Sequence, residues 1–374
     1  MKILISGGHL TPALAFIDYV QKTDESYSFL FAGRIYTREK SKQKAKEKSA
    51  AKKRNIPFIP FDSGKLGQDS LLLLPVSLLK TIGAFFTALK LFSHHKPDAY
   101  LSFGTYLSVP LALAAWVMRV PIIVHEQTRS IGIANALVSR IATMVAVTYP
   151  ETVKMVKNKQ VYLTGNPIRE SILQKSEKIP DWYKTKAKDP ILFVVGGSQG
   201  SEVINTTISR CISTLTKKYV VIHQCGTKTK LRNYKKELEF TKKQLSLAGQ
   251  NKYFIHEWIG AEDLAWIYTH AYLAISRAGA NTVQELSLRH IPTIYIPLPF
   301  SHKNEQLLNA KALSDTGQAV MIQQKDLSPD VLIAVVGEID KKHNRIQRTL
   351  QTEQASLSAG SQELFARIHT LLQP

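Results

Sequence analysis

A chain of 374 residues, 44% hydrophobic and 21% charged, is long enough for two domains with separate cores, and its composition is that of a soluble globular protein rather than a disordered one. With 49 Lys and Arg against 29 Asp and Glu the formal net charge is +20, which favours anionic partners: phosphorylated substrates, an acidic membrane surface or nucleic acid. The two cysteines, Cys211 and Cys225, supply neither a metal-ligand spacing nor a disulfide framework, and fit a reducing compartment.

The chain opens Met1-Lys2-Ile3-Leu4-Ile5-Ser6-Gly7-Gly8. That apolar run is far too short for a signal-peptide core and reads as a buried first strand. Further strands are predicted at Tyr27–Ala32, Ala99–Phe103, Pro121–His125, Thr143–Val147 and Val161–Thr164. A second series follows at Ile191–Val195, Tyr219–His223, Tyr253–Glu257, Tyr272–Ser276, Thr293–Pro297 and Ala319–Ile322. Helical patterns fall between them, at Thr11–Gln21, Ser108–Met118, Glu202–Leu215, Asn281–Leu288 and Lys303–Ser314. This alternation argues for an α/β protein with parallel sheets covered by helices on both faces. Gly165-Asn166-Pro167 and the polar stretch Gln174–Pro190 separate the two series and mark a domain boundary. Two doubly wound halves bind ligands where their strands end, and a cleft between halves is a natural site.

Two segments stand apart. Arg34–Arg54 holds ten Lys/Arg against two Glu and reads as a solvated charged face, on an exposed helix or a loop. Leu71–Phe92 is long and apolar, yet Pro75 interrupts it early and Lys80 would cost about 2.5–3.5 kcal/mol at a bilayer centre. In helical phase Leu74, Leu78, Ile82, Phe85, Leu89 and Phe92 share one face, while Ser77, Lys80, Gly83, Thr87 and Lys90 share the other. Such an amphipathic helix either packs on the sheet or lies in a membrane surface with its lysines at the headgroups.

Chemistry gathers where the predicted strands end. After Ile191–Val195 comes Gly196-Gly197-Ser198-Gln199-Gly200-Ser201, then a helix. The glycines let backbone N–H groups approach a ligand, the helix start favours a diphosphate, and Ser198 and Gln199 add side-chain hydrogen bonds. The pattern is neither a dinucleotide fingerprint nor a P-loop. Ser276-Arg277-Ala278-Gly279-Ala280-Asn281-Thr282, followed by Glu285, repeats the strand–turn–helix scheme. Glu285 can accept two hydrogen bonds from a ribose diol and can also complete a capping box with Asn281 or Thr282, and the two readings can hold together. Beyond Ile296-Pro297-Leu298-Pro299-Phe300-Ser301, Gln306 offers the donor and acceptor that sugar hydroxyls require. In the N-terminal half, Ser6-Gly7-Gly8-His9 puts an imidazole beside a double glycine, where it can take a proton at neutral pH. His125 and Glu126 form a second acid/base pair or orient loops.

The ordered set of these loops resembles the MurG family of bacterial peptidoglycan glycosyltransferases. It comprises GGHLTPALA at 7–15, SFGTYLSVPLALAA at 102–115, VPIIVHEQ at 120–127, TGNPIRESI at 164–172, GGSQGS at 196–201, RAGANTVQEL at 277–286 and PTIYIPLPFSHKNEQLLNA at 292–310. The resemblance implies a GT-B fold: two Rossmann-like, doubly wound domains with parallel sheets facing across a cleft. The expected division is an N-terminal acceptor and membrane domain at 1–166, a donor domain at 167–350, and a C-terminal helix at 351–374 packing back on the N-terminal domain.

The resemblance further implies inverting transfer of N-acetylglucosamine from its UDP donor to the C4 hydroxyl of undecaprenyl-diphospho-muramoyl-pentapeptide. No metal, cofactor or nucleic acid is expected; the place of work is the anionic cytoplasmic face of the cell membrane. Arg169, Gly197, Ser198 and Gln199 would hold the diphosphate. Ile259 and the turn Gly279, Ala280, Asn281, Thr282 would surround the uracil, Glu285 the ribose, and Gln306 the sugar. Gly7, Gly8 and Thr128 would complete the donor contacts. His9 would be the general base, with Glu126 as a second candidate, and Leu74, Leu78, Ile82, Phe85 and Leu89 would meet the membrane. Three positions depart from the family pattern: the first loop is shorter than GGGTGGH, Thr128 replaces the Asn of HEQN, and Ser201 replaces the Ala of GGSQGA. Rival readings are a GT-B enzyme with another lipid or small-molecule acceptor, a non-catalytic UDP-sugar sensor, and a basic nucleic-acid-binding protein.

Overall fold

The computed structural model describes residues 1–35, 46–64, 74–197, 199–227, 232–353 and 360–373. Residues 36–45 of the basic segment, 71–73 of the apolar stretch, and Ser198 lie outside the described residues, as does the side chain of Leu74. The chain forms two compact units, one of Met1–Arg169 with the C-terminal segment, the other beginning at Glu170.

The first unit is built on a parallel sheet of seven strands: β1 (Lys2–Ser6), β2 (Ser28–Gly33), β3 (Phe58–Pro60), β4 (Ala99–Ser102), β5 (Ile122–Glu126), β6 (Met144–Val147) and β7 (Val161–Leu163). Their order is β3-β2-β1-β4-β5-β6-β7. Runs such as Ile3-Leu4-Ile5 and Ile122-Ile123-Val124 are buried throughout, because helices cover both faces of the sheet. The strand β3 has no counterpart in the sequence reading; it is three residues long and ends on Pro60, so its apolar signal is minimal. The helix Gly360–Leu372 completes this unit's core with Leu364, Phe365 and Ile368, and His369 Nδ1 lies 3.0 Å from the Tyr27 hydroxyl.

The helix Leu74–His95 divides its surface differently from the helical-phase expectation. Its buried stripe is Ser77, Thr81, Ala84, Ala88, Leu91 and Phe92, packed with the helix Ser108–Val117. Short side chains let the two backbones approach, and the Thr81 hydroxyl donates to the Ser77 carbonyl at 2.8 Å, so burial leaves it satisfied. Phe85 and Leu89 are half-buried against the core, whereas Leu78, Leu79, Ile82 and Phe86 are exposed. The neighbouring helix exposes Leu113, Trp116 and Val117, and Met118 follows them. These exposed apolar side chains lie on two helices that pack against each other.

The second unit carries six parallel strands: β8 (Ile191–Val195), β9 (Val220–Gln224), β10 (Tyr253–His256), β11 (Ala271–Ser276), β12 (Thr293–Tyr295) and β13 (Val320–Met321), in the order β10-β9-β8-β11-β12-β13. The polar stretch Gln174–Pro190 is pinned to this unit: the Trp182 indole N–H donates to Asp263 at 2.8 Å, and Tyr183 stacks on Phe254. Both sheets reverse direction of strand addition beside their first strand, between β1 and β4 and between β8 and β11. In open parallel sheets ligands bind at that switch point, outside the carboxyl ends of the strands.

Candidate active site

In the second unit the switch point brings two turns together. Val195 and Ser276 are paired in register, so the loops that follow them leave the sheet side by side. The helix Glu202–Lys218 begins at the N-cap Ser201, whose hydroxyl oxygen accepts from the Ile204 N–H at 3.4 Å. Gly197 and Gly200 hold φ of +86° and +77°, values that favour glycine. A Cβ on Gly200 would lie 2.1 Å from the Cys225 carbonyl oxygen, so this loop packs backbone to backbone on the turn after β9. Gln199 is exposed at its tip.

Arg277 ties the neighbouring turn to this one. Its guanidinium donates to Ser201 Oγ and Gln324 Oε1, each at 2.7 Å, and to the Ile296 carbonyl at 3.0 Å. These partners are neutral, and burial lowers the guanidinium's pKa. The sequence reading assigned Arg277 no role; its signal was only an arginine directly after a buried strand. The helix Ala280–Leu288 starts at Gly279, which has no capping side chain. Asn281 and Thr282 therefore sit inside the first turn rather than at the cap, and the capping-box reading does not apply. Glu285 is buried, and Tyr268 donates to its Oε2 at 3.2 Å. The Ile259 N–H donates to Gln224 Oε1 at 3.1 Å. Gln306 lies in the first turn of the helix Glu305–Asp315, its Oε1 accepting from the Leu298 N–H at 3.0 Å.

In the first unit, Ser6 and Ser102 are in register, which places Gly7–His9 beside Phe103–Tyr106. A Cβ on Gly8 would lie 1.4 Å from Thr105 Cγ2, and one on Gly104 would meet His9 and Asn135. His9 occupies the N-cap of the helix Leu10–Thr23 without a capping bond from its ring. Burial lowers its pKa, and the charge of Glu126 acts against that shift. Glu126 is itself buried and accepts four hydrogen bonds: from Thr128 N (3.0 Å), Thr128 Oγ1 (2.6 Å), Gly132 N (3.0 Å) and Asn135 Nδ2 (3.0 Å). The Thr128 hydroxyl thus lies between Glu126 Oε1 and the Ser130 carbonyl oxygen, 2.5 Å away, with one proton to share between them. His125 is fully enclosed, its Nε2 donating to the Gly165 carbonyl at 2.9 Å, and burial drops its pKa to about 4. His125 and Glu126 are thus bonded to the backbone and side chains of the segments next to them. Arg169, half-buried, is the last residue of this unit's first segment.

Two sheets of Rossmann order, each with a glycine turn at its switch point, are the arrangement of the GT-B fold, to which many glycosyltransferases belong. Residues 6–147 match the Glycosyltransferase family 28 N-terminal domain and residues 191–366 the Glycosyltransferase family 28 C-terminal domain. The UDP-N-acetylglucosamine--N-acetylmuramyl-(pentapeptide) pyrophosphoryl-undecaprenol N-acetylglucosamine transferase of Clostridium kluyveri is 32% identical over 93% of this chain and 94% of its own. The enzyme of the same name from Clostridium novyi is 31% identical over 95% of each. The crystal structure of Acinetobacter baumannii MurG superposes with a TM-score of 0.73, covering 99% of both chains at 25% identity. The chain belongs to the MurG family.

Proposed function

We propose that this protein transfers N-acetylglucosamine from UDP-N-acetylglucosamine to the C4 hydroxyl of undecaprenyl-diphosphate-linked muramoyl-pentapeptide. The observation that carries this reading is the paired strand-end turns after β8 and β11, with Glu285 buried one helical turn behind, in a chain aligned almost end to end with relatives named for that reaction. In it, Glu285 accepts from the ribose hydroxyls, Ile259 and the 279–282 turn border the uracil, and Gln306 presents its NH2 end to the sugar. Gly197, Ser198, Gln199 and Arg169 meet the diphosphate, with the N-terminus of the helix Glu202–Lys218 behind them.

His9 removes the proton from the acceptor hydroxyl as its oxygen attacks C1 of the sugar. The C1–O bond to the diphosphate breaks, its electron pair leaves with UDP, and the anion is met by helix N–H groups. Burial keeps His9 neutral and able to accept, and Glu126 faces the imidazolium that forms. The scheme calls for no metal or cofactor. The test is turnover with radiolabelled UDP-N-acetylglucosamine and the muramoyl lipid, against diacylglycerol as the competing acceptor. Labelled product on the muramoyl lipid is expected; product on diacylglycerol alone, or UDP binding with no product on either, refutes it.

We further propose that the protein works peripherally at the cytoplasmic membrane face. Among the described residues no helix is long and apolar enough to cross a membrane. The exposed surface of Leu78, Leu79, Ile82, Phe86, Trp116 and Val117, with Lys80 and Lys90 also exposed, suits shallow insertion under anionic headgroups. Leu78→Ser with Phe86→Ser is expected to cut retention on phosphatidylglycerol vesicles at least about fivefold, since each buried CH2 contributes ~0.8 kcal/mol. Equal retention of wild type and double variant in a flotation assay rejects this surface.

A further inference from the structure

Beneath the glycine loop of the second unit runs a chain of buried polar side chains that the transfer chemistry does not use. Asn205 lies on the helix Glu202–Lys218, His223 on β9 and Tyr253 on β10, and all three are almost wholly enclosed. Asn205 Nδ2 donates to the Cys225 carbonyl at 2.9 Å; His223 Nε2 is 3.0 Å from Asn205 Oδ1; His223 Nδ1 is 2.9 Å from the Tyr253 hydroxyl.

The direction of every bond follows from donor and acceptor chemistry. A carbonyl only accepts, so Asn205 must turn its NH2 to Cys225 and its Oδ1 to His223. Oδ1 only accepts, so His223 carries its proton on Nε2. Burial drives the His223 pKa down to about 3, so the ring is neutral and its Nδ1 is an acceptor. Tyr253 therefore donates. The run Tyr253 → His223 → Asn205 → Cys225 carbonyl has one proton order, in surroundings where an unmade bond is costly. It ends on the same carbonyl oxygen that would lie 2.1 Å from a Gly200 Cβ. From the other side, a Cβ on Gly226 would lie 2.2 Å from the Gly200 N.

We propose that Tyr253, His223 and Asn205 are positioning residues that fix the Gly196–Gly200 loop against the turn after β9, and so set the affinity for a nucleoside diphosphate. The proposal rests on the reading of that loop as part of the donor site. The relay joins three elements where the loop packs backbone to backbone on the turn after β9. Loss of a link frees the Cys225 carbonyl or leaves a polar group unsatisfied behind the loop.

The test compares full-length His223→Leu, His223→Gln and Tyr253→Phe with wild type. His223→Leu removes both ring contacts and is expected to raise the Kd for UDP, and the KM for the donor, about tenfold, equivalent to ~1.4 kcal/mol. The kcat stays within about threefold, and amide exchange at Gly200, Ser201 and Gly226 quickens. His223→Gln retains one donor and one acceptor and restores both affinity and exchange. Tyr253→Phe, the mildest change, reproduces the faster exchange if His223→Leu fails to fold. Unchanged UDP affinity and unchanged exchange in folded His223→Leu overturn the proposal. So does a ¹⁵N spectrum with the His223 proton on Nδ1. If wild type binds no UDP while exchange and tautomer behave as stated, the donor reading falls and the relay's hold on the loop stands.

Discussion

His9→Ala lowers turnover by about 10²–10⁴-fold, the range for removal of a positioned general base, while UDP affinity stays at the wild-type value. The ring lies at the end of β1, at the switch point of the first sheet, whereas the proposed uracil, ribose and sugar contacts, and every proposed diphosphate contact but Arg169, lie in the second unit. The pH profile provides an independent check. The neutral imidazole is the active form, so activity falls as pH drops through the His9 pKa. Burial lowers that pKa from its ordinary 6.5, and Glu126 only partly opposes the shift. The acidic limb of kcat/KM therefore lies below pH 6.5, and at pH 7 the neutral base predominates. A His9→Ala enzyme within threefold of wild type, or an unchanged acidic limb in that variant, removes His9 from the role.

Gly200→Ala abolishes measurable UDP binding, whereas Gly197→Ala weakens it less than tenfold. The two glycines have similar left-handed backbones, with φ of +77° and +86°. Both alanines carry that conformational cost, about 1–2 kcal/mol. Only at 200 does the new methyl meet backbone: the Cys225 carbonyl oxygen at 2.1 Å, against nothing within 4 Å at 197. The β9 turn cannot yield without straining the bond from Asn205 to that carbonyl, so the loop is the part that must shift. Calorimetric titration of both variants with UDP, beside their melting temperatures, separates loop displacement from general unfolding. Wild-type affinity in Gly200→Ala would falsify the close-packed loop as the nucleotide platform.

Most of the architecture was legible because parallel strands covered on both faces must be apolar throughout. Ile3-Leu4-Ile5, Ile122-Ile123-Val124 and Ile191–Val195 announce themselves without reference to partners. The motifs carried the family, since glycine turns and the polar residues after them occur in one order along the chain. What was not legible depended on neighbours distant in sequence. The helix Leu74–His95 buries Ser77, Thr81, Ala84 and Ala88 because another helix approaches closely there, so the rule that the apolar face turns inward failed. Arg277 and Glu285 look alike on paper as charged residues near a turn. One is satisfied by carbonyls and side-chain oxygens, and the other receives a tyrosine hydroxyl, partners that only the fold supplies. The Asn205–His223–Tyr253 run was invisible for the same reason: its members lie on three different elements, 18 and 30 residues apart in sequence.

The helix Gly360–Leu372, whose Leu364, Phe365 and Ile368 sit in the core of the first unit, has a consequence for the order in which the molecule is made. That unit is discontinuous in sequence, while the second is a single uninterrupted stretch. During synthesis the N-terminal sheet emerges first, yet it lacks part of its core until the final helix has left the ribosome. The second unit can finish folding before the first, reversing the usual N-to-C order of domain maturation. Until then Tyr19 and Tyr27, whose rings meet Phe365, remain partly uncovered, so the newly made chain is most in need of protection at the end that was synthesised earliest.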